Sequence, residues 1–101
     1  MTARMRFTAY VEGPEMGRVV RSRLLELCAA ENVVGDVDVV DVSAEPAAAE
    51  TGNIVGIPTV VREDPRPRRR VIGALDDSRR VAQALGLDDV RSESASAGGA
   101  Q

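Results

Sequence analysis

Apolar and polar positions change their spacing several times along the chain, and each change marks an element. Residues 5–11 carry Phe7, Tyr10 and Val11 and stop at Gly13-Pro14, which predicts a short strand closed by a turn. Pro14 suits the first turn of a helix. From Met16 onward, Val20, Leu24, Leu27 and Cys28 recur at helical spacing, while Arg18, Arg21 and Glu26 fall on other faces. The pattern predicts a helix to about residue 31, ended by residues 32–35. Val37, Val39, Val40 and Val42, set around Asp38 and Asp41, predict a second strand over 37–42. Ser43-Ala44-Glu45-Pro46 opens an Ala-rich helix over 47 to about 55, closed by Gly56. Residues 57–62 read as a strand, 64–67 as a turn, and 69–72 as a strand closed by Gly73. Asp77 or Ser78 can cap a last helix through Leu85, with Val81 and Leu85 inward. After Leu87 the composition turns to Ser, Ala and Gly, so the domain is expected over 4–88 and a disordered tail over 89–101.

The resulting order is β-α-β-α-β-β-α, an α/β fold. Two strands joined by one helix run parallel with a right-handed crossover. The last two, a short turn apart, form an antiparallel hairpin. The expected mixed sheet has four strands in the order 2-1-3-4, with 37–42 on one edge. That arrangement resembles the core of thioredoxin and glutaredoxin.

Composition narrows the function. The 101 residues suit one domain, and 44% apolar with 29% charged residues is ordinary for a globular protein. Phe7 and Tyr10 are the only aromatic residues. The first residues carry no signal-like apolar run and no stretch suits a membrane span, so a cytoplasmic location without membrane contact is expected. The net charge is −3, and all 13 basic residues are arginine. Between Leu24 and Val61 there is no basic residue but seven acids; from Arg62 to Arg80 there are seven arginines and four acids. Such runs imply either two solvated faces or two oppositely charged binding surfaces.

Several chemistries are excluded by what is missing. There is no histidine and one cysteine, which removes the usual zinc sites, the Ser-His-Asp triad and the Cys-His dyad. A redox thioredoxin needs Cys-x-x-Cys at the start of the first helix, where the helix N-terminus favours thiolate. Here that place reads Gly13-Pro14-Glu15-Met16-Gly17. Cys28, in phase with Val20, Leu24 and Leu27, reads as a small buried apolar residue. No catalytic residue, cofactor or metal site is therefore expected. Asp76 and Asp77 suit helix capping better than acid-base work, because no aromatic sugar cleft accompanies them. Arg66, Arg68, Arg69 and Arg70 could meet phosphate, nucleic acid or an acidic protein surface. Without aromatic residues among them to stack bases, a protein partner is favoured over nucleic acid. Ile57-Pro58-Thr59 sits where thioredoxin-like domains carry a cis proline, although a trans proline opening a strand is also compatible.

Four segments in fixed order resemble the KaiB family. Tyr10-Val11-Glu12-Gly13 is similar to its Tyr-Val-Ala-Gly, and Val40-Asp41-Val42-Ser43-Ala44-Glu45-Pro46 to its Ile-Asp-Val-x-x-x-Pro. Ile54-Val55-Gly56-Ile57-Pro58-Thr59-Val60-Val61-Arg62 resembles its stretch around Pro-Thr-Leu. Arg69-Arg70-Val71-Ile72-Gly73-Ala74-Leu75 resembles its Arg-Arg-Ile-Ile-Gly-Asp-Leu. The resemblance implies a non-catalytic clock component that binds the RecA-type ring ATPase KaiC and, in full clocks, KaiA. A related thioredoxin-like domain begins a KaiC-sensing histidine kinase. It further implies two folds: a tetramer with a different C-terminal half and a thioredoxin-like monomer. Candidate partner contacts are Arg62, Arg69 and Arg70, with Asn53 where the family has a basic residue, and the 37–42 edge including Asp38 and Val39, open to a partner strand. The proline run before the Arg pair is broken here as Asp64-Pro65-Arg66-Pro67. Pro58, Ala84 and Gly86 are the candidate switch positions: Ala84 replaces a family glycine inside the last helix, and Gly86 suits a left-handed helix end. They favour the thioredoxin-like monomer. A stand-alone stress or signalling module and a degenerate thiol oxidoreductase are the other functions weighed.

Overall fold

The computed structural model describes residues 3–87, and the expected tail lies outside them. Within that span the order is β1 (Ala3–Val11), α1 (Pro14–Ala30), β2 (Val33–Asp41), α2 (Pro46–Thr51), β3 (Thr59–Asp64), β4 (Arg69–Ile72) and α3 (Ser78–Leu85). The strands form one sheet in the order β2-β1-β3-β4, with β1 parallel to β2 and the other neighbours antiparallel. Pattern reading therefore gives the architecture correctly.

Alternation sorts β1 into two faces. Met5, Phe7, Ala9 and Val11 point one way and are buried with Val60 and Val71 under α1 and α3. Helix α1 contributes Val20, Leu24, Leu27 and Cys28, and α3 contributes Val81 and Leu85. Each such side chain adds about 1.5–3 kcal/mol by leaving water. The other face carries Arg4, Arg6 and Thr8, and α2, which has no buried residue of its own, lies near its Tyr10 end: a Cβ on Gly52 would sit 2.9 Å from the Tyr10 hydroxyl.

Four boundaries differ most from the pattern reading. Strand β2 starts at Val33, not Val37, because Asn32 alone turns the chain (φ 59°) and Val33 is already buried and paired with Ala3. Val42, expected inside the strand, follows it, although its N–H still bonds Val11 O at 2.8 Å. Helix α2 stops at Thr51 instead of continuing to about 55. Asn53 takes the left-handed conformation (φ 56°), and the N–H groups of Asn53 and Ile54 return to Glu50 O and Ala49 O at 3.1 and 2.8 Å. That doubly bonded end satisfies the last carbonyls and commits the chain to turn. Strand β3 begins at Thr59, two residues after the expected start, behind a cis Ile57-Pro58 bond.

The ends of α3 match their local signals. The Asp77 carboxylate accepts from Arg80 N–H at 3.1 Å, and Gly86 closes the helix with φ 63°. Ala84→Gly is expected to lower stability by about 1 kcal/mol through helix propensity. Gly86→Ala should cost about 1–2 kcal/mol through left-handed strain. Urea midpoints measure both, and a Gly86→Ala protein as stable as its parent would refute the assigned strain.

Candidate functional site

The sheet's carboxyl end brings α1 and the residues before β3 together. Gly13 has φ 91°, which frees the chain to place Pro14 at the first helical position. The Asp41 carboxylate ties this turn to the end of β2, accepting from Gly13 N–H, Ser43 N–H and the Ser43 hydroxyl. Those bonds, the Ser43 hydroxyl first, favour the ionised form and hold the Asp41 pKa below the usual carboxylate range. Asp41 was not singled out from the sequence, although an Asp two residues before a Ser at a strand end is a turn signal. Beside α1, Met16, Val19, Val20, Pro58, Ala74 and Leu75 line an open apolar groove of about 420 Å³. Arg23 closes one end, donating to Leu75 O at 2.8 Å and to the Ser78 hydroxyl at 2.7 Å.

Among the described residues, no Cys, Ser, Thr or Tyr side chain lines that groove, and Asp76 is its acidic member. Cys28 is 1% exposed in the core, and burial pushes its thiol up to about 11. Among the described residues, no three His, Cys, Asp or Glu side chains are grouped to hold a metal ion. Raising the thiol from 9.0 to about 11 cuts its thiolate about a hundredfold near neutral pH. Iodoacetamide should therefore label the folded protein at least about a hundredfold more slowly than the urea-unfolded chain. Equal rates would overturn the burial of Cys28. Stability should also fall as pH rises from about 9 to about 11, where the unfolded thiol has lost the proton that the native thiol keeps.

The second feature is the β2 edge. Val42 N–H points inward to Val11 O, so the two-residue alternation of a strand turns the backbone of Val40 and Asp38 toward β1. The N–H and C=O of Val39 and Val37 then face outward. Among the described residues no strand lies beyond them. Val39 is 40% exposed, and its Cγ1 would sit 2.9 Å from a Cβ on Gly17, so its side chain leans on the start of α1. Asp38 is exposed on the opposite face of the sheet.

The arginines divide. Arg69 and Arg70 are exposed on β4. Arg70 donates to Asn53 O at 3.1 Å and to Gly52 O at 3.4 Å, so Asn53 and Arg70 meet at the C-terminal end of α2. Cations suit that end of a helix, and the neutral carbonyls leave the arginine its charge. Arg62, named as a surface contact, is 1% exposed and lies on the core face. Its guanidinium donates to Leu85 O and Gly86 O at 3.1 Å and to Pro67 O at 2.8 Å. It anchors α3 and the hairpin turn rather than presenting a charge outside. Its phase with Val60 was the readable sign of this. Pro58 borders the groove, whereas Ala84 and Gly86 lie at the far end of α3 beside the Arg62 anchor.

A family model described as the KaiB domain matches residues 10–87. Over 55 residues the chain is 36% identical to the circadian clock protein KaiB3 of Synechocystis sp., covering 54% of this chain and 52% of that protein. The match thus spans about half the length of that relative. Among solved structures, the N-terminal domain of SasA from Synechococcus elongatus superposes with a TM-score of 0.67 at 19% identity, covering 90% of this chain and 88% of that one. Chloroplastic thioredoxin z gives a TM-score of 0.56 at 18% identity, covering 84% and 79%. Both structures share the thioredoxin-like fold with the chain.

Proposed function

The chain belongs to the KaiB family, and from that premise we propose that it is a non-catalytic adaptor of a bacterial timing system that docks on a KaiC-type ring ATPase. Family membership supports a clock-related role in protein interaction. The observation that carries the reading is the pairing of a thioredoxin-like sheet with an empty dithiol position: the scaffold is kept, its chemistry is gone, and an unpaired edge strand remains. Asp38, Val39 and the outward backbone of β2 offer a strand-addition surface for a protein partner, a KaiA-like protein or a histidine kinase being further candidates. Arg69 and Arg70, with Asn53 beside them, offer a basic surface for the ATPase ring. No helix among the described residues is long and apolar enough to cross a membrane.

The experiment is capture of partners from the native cell on the full chain, read for a RecA-like ATPase, followed by binding to that purified ATPase. Recovery of the ATPase supports the reading; a captured set without one favours a stand-alone signalling module. The replacement of the family's basic residue by Asn53 gives that second reading its support. The caps of α3 favour the thioredoxin-like monomer at rest. Sedimentation at micromolar concentration and physiological salt should give a monomer, and a stable tetramer with strand shifts over 78–85 would reject this.

A further inference from the structure

The two edges of the sheet carry opposite charge in matching register. Strand pairing sets the residues in cross-strand rows: Val37-Phe7-Arg62-Arg69, Asp38-Thr8-Val61-Arg70, Val39-Ala9-Val60-Val71 and Val40-Tyr10-Thr59-Ile72. Each row begins on the β2 edge and ends on the β4 edge. The Asp38 row begins on a carboxylate for which the described residues supply no ion pair and ends on Arg70, whose bonds go to neutral carbonyls. The next two rows begin and end on apolar residues, and Val39 and Ile72 are 40% and 44% exposed.

Strand directions make these ends compatible. Strand β2 runs parallel to β1, β3 antiparallel to it, and β4 antiparallel to β3, so β4 runs parallel to β2. A second copy displaced sideways by one sheet width brings its β2 against β4 of the first, parallel and continuing the sheet. Arg70 then lies beside Asp38, Val71 beside Val39 and Ile72 beside Val40. Pairing of like edges brings like charges together: two β2 edges joined antiparallel about Val37 set Asp36 opposite Asp38, and two β4 edges joined about Arg70 set the two Arg70 side chains opposite each other. One-sign edges disfavour two-fold pairing in those registers, whereas the head-to-tail contact sets opposite charges side by side. We propose that a second copy of this chain is an occupant of both edges, joined β2 to β4 in a heterologous contact that does not close on itself.

The junction is four residues long on the β4 side, so it forms at high protein concentration and low salt, not at the micromolar concentration where the monomer rests. It occupies the same β2 edge that the proposed function offers to a partner strand, so a bound partner should block it; the contact itself does not depend on that reading. The test is the weight-average mass of the full chain by light scattering at near-millimolar protein. At about 0.01 M ionic strength, where charges act over about 30 Å, the mass should climb past twice the monomer with concentration. At about 1 M, where the range is about 3 Å, it should return to the monomer. Asp38→Arg and Arg70→Glu should each abolish the rise, Asp38→Asn should weaken it, and an equimolar mixture of the two charge-reversed variants should restore it. Restoration also shows that both are folded. If Arg70→Glu fails to fold, the Asp38 pair still decides. A monomeric mass throughout, a mass that levels at twice the monomer, association that persists at high salt, or association indifferent to Asp38→Arg would each overturn the proposal.

Discussion

Arg62→Ala is expected to destabilise the fold by about 3–4 kcal/mol, measured as a shift of the urea midpoint, and to loosen α3 more than β1. The guanidinium supplies donors to Leu85 O, Gly86 O and Pro67 O in a site that is 1% exposed. The first two carbonyls sit at the C-terminal end of α3, where a helix has no internal partners for its last acceptors. Leaving a buried acceptor unsatisfied costs about 1–3 kcal/mol, and the vacated side-chain volume adds a cavity term. Two further variants separate the contributions. Arg62→Met retains much of the volume and loses the donors, so it should recover only the packing part. Arg62→Lys keeps the charge, but a compact ammonium cannot span α3 and the hairpin turn as a planar fork does, so it should recover less than half. An Arg62→Ala protein within about 1 kcal/mol of its parent would refute the anchor, since that is the size of one ordinary hydrogen bond.

The same arginine shows where the sequence stops being readable. Its inward phase follows from alternation with Val61 and Glu63, both on the other face of β3. Two of the carbonyls it bonds lie 23 and 24 residues along the chain, and no local pattern contains that. The ends of α3 were readable because Asp77 and Gly86 act within one turn of the helix they cap. The start of β2 was not, because Gly35 interrupts the valines and reads as a breaker. A Cβ there would sit 3.0 Å from Cys28 Sγ, so α1, not the strand, accounts for that glycine. The length of α2 was misread because alanine propensity favours continuing the helix, whereas its end is set by Asn53 in the left-handed conformation and by Arg70 from across the sheet. The candidate site divides in the same way. The missing dithiol and the exposed edge were legible as absence and order, while the division of the arginines into one anchor and two surface residues needed the packed sheet.

Val39→Pro is expected to leave the fold nearly intact and to abolish binding of any partner that adds a strand to β2, whereas Val40→Pro should do the reverse and damage the fold. Proline lacks the N–H that a ladder bond requires. Because Val42 N–H points to Val11 O, the Val40 N–H lies on the β1 side and the Val39 N–H on the free side. Val40→Pro therefore breaks an internal ladder and should cost about 3 kcal/mol, the scale for proline at a hydrogen-bonded site. Val39→Pro removes a donor on the side of β2 where no described strand pairs, a position that edge strands tolerate. Its cost is the lost contact with the start of α1 at Gly17, about 1 kcal/mol for a half-exposed valine. On the binding side it deletes one central hydrogen bond of a short added strand and sets a ring against the incoming backbone, an effect of at least about tenfold to a hundredfold in Kd. Asp38→Ala serves as the contrast: it alters charge beside the same backbone, so it should change the association rate and its salt dependence far more than the dissociation rate. Urea midpoints of the two proline variants decide the orientation before any partner is in hand. If Val39→Pro is the more destabilised of the two, β2 faces outward on the wrong residues and the strand-addition surface is lost with it. If the midpoints fall as stated but a captured partner binds Val39→Pro with unchanged affinity, that partner docks elsewhere, and the basic surface at Arg69 and Arg70 becomes the one to test.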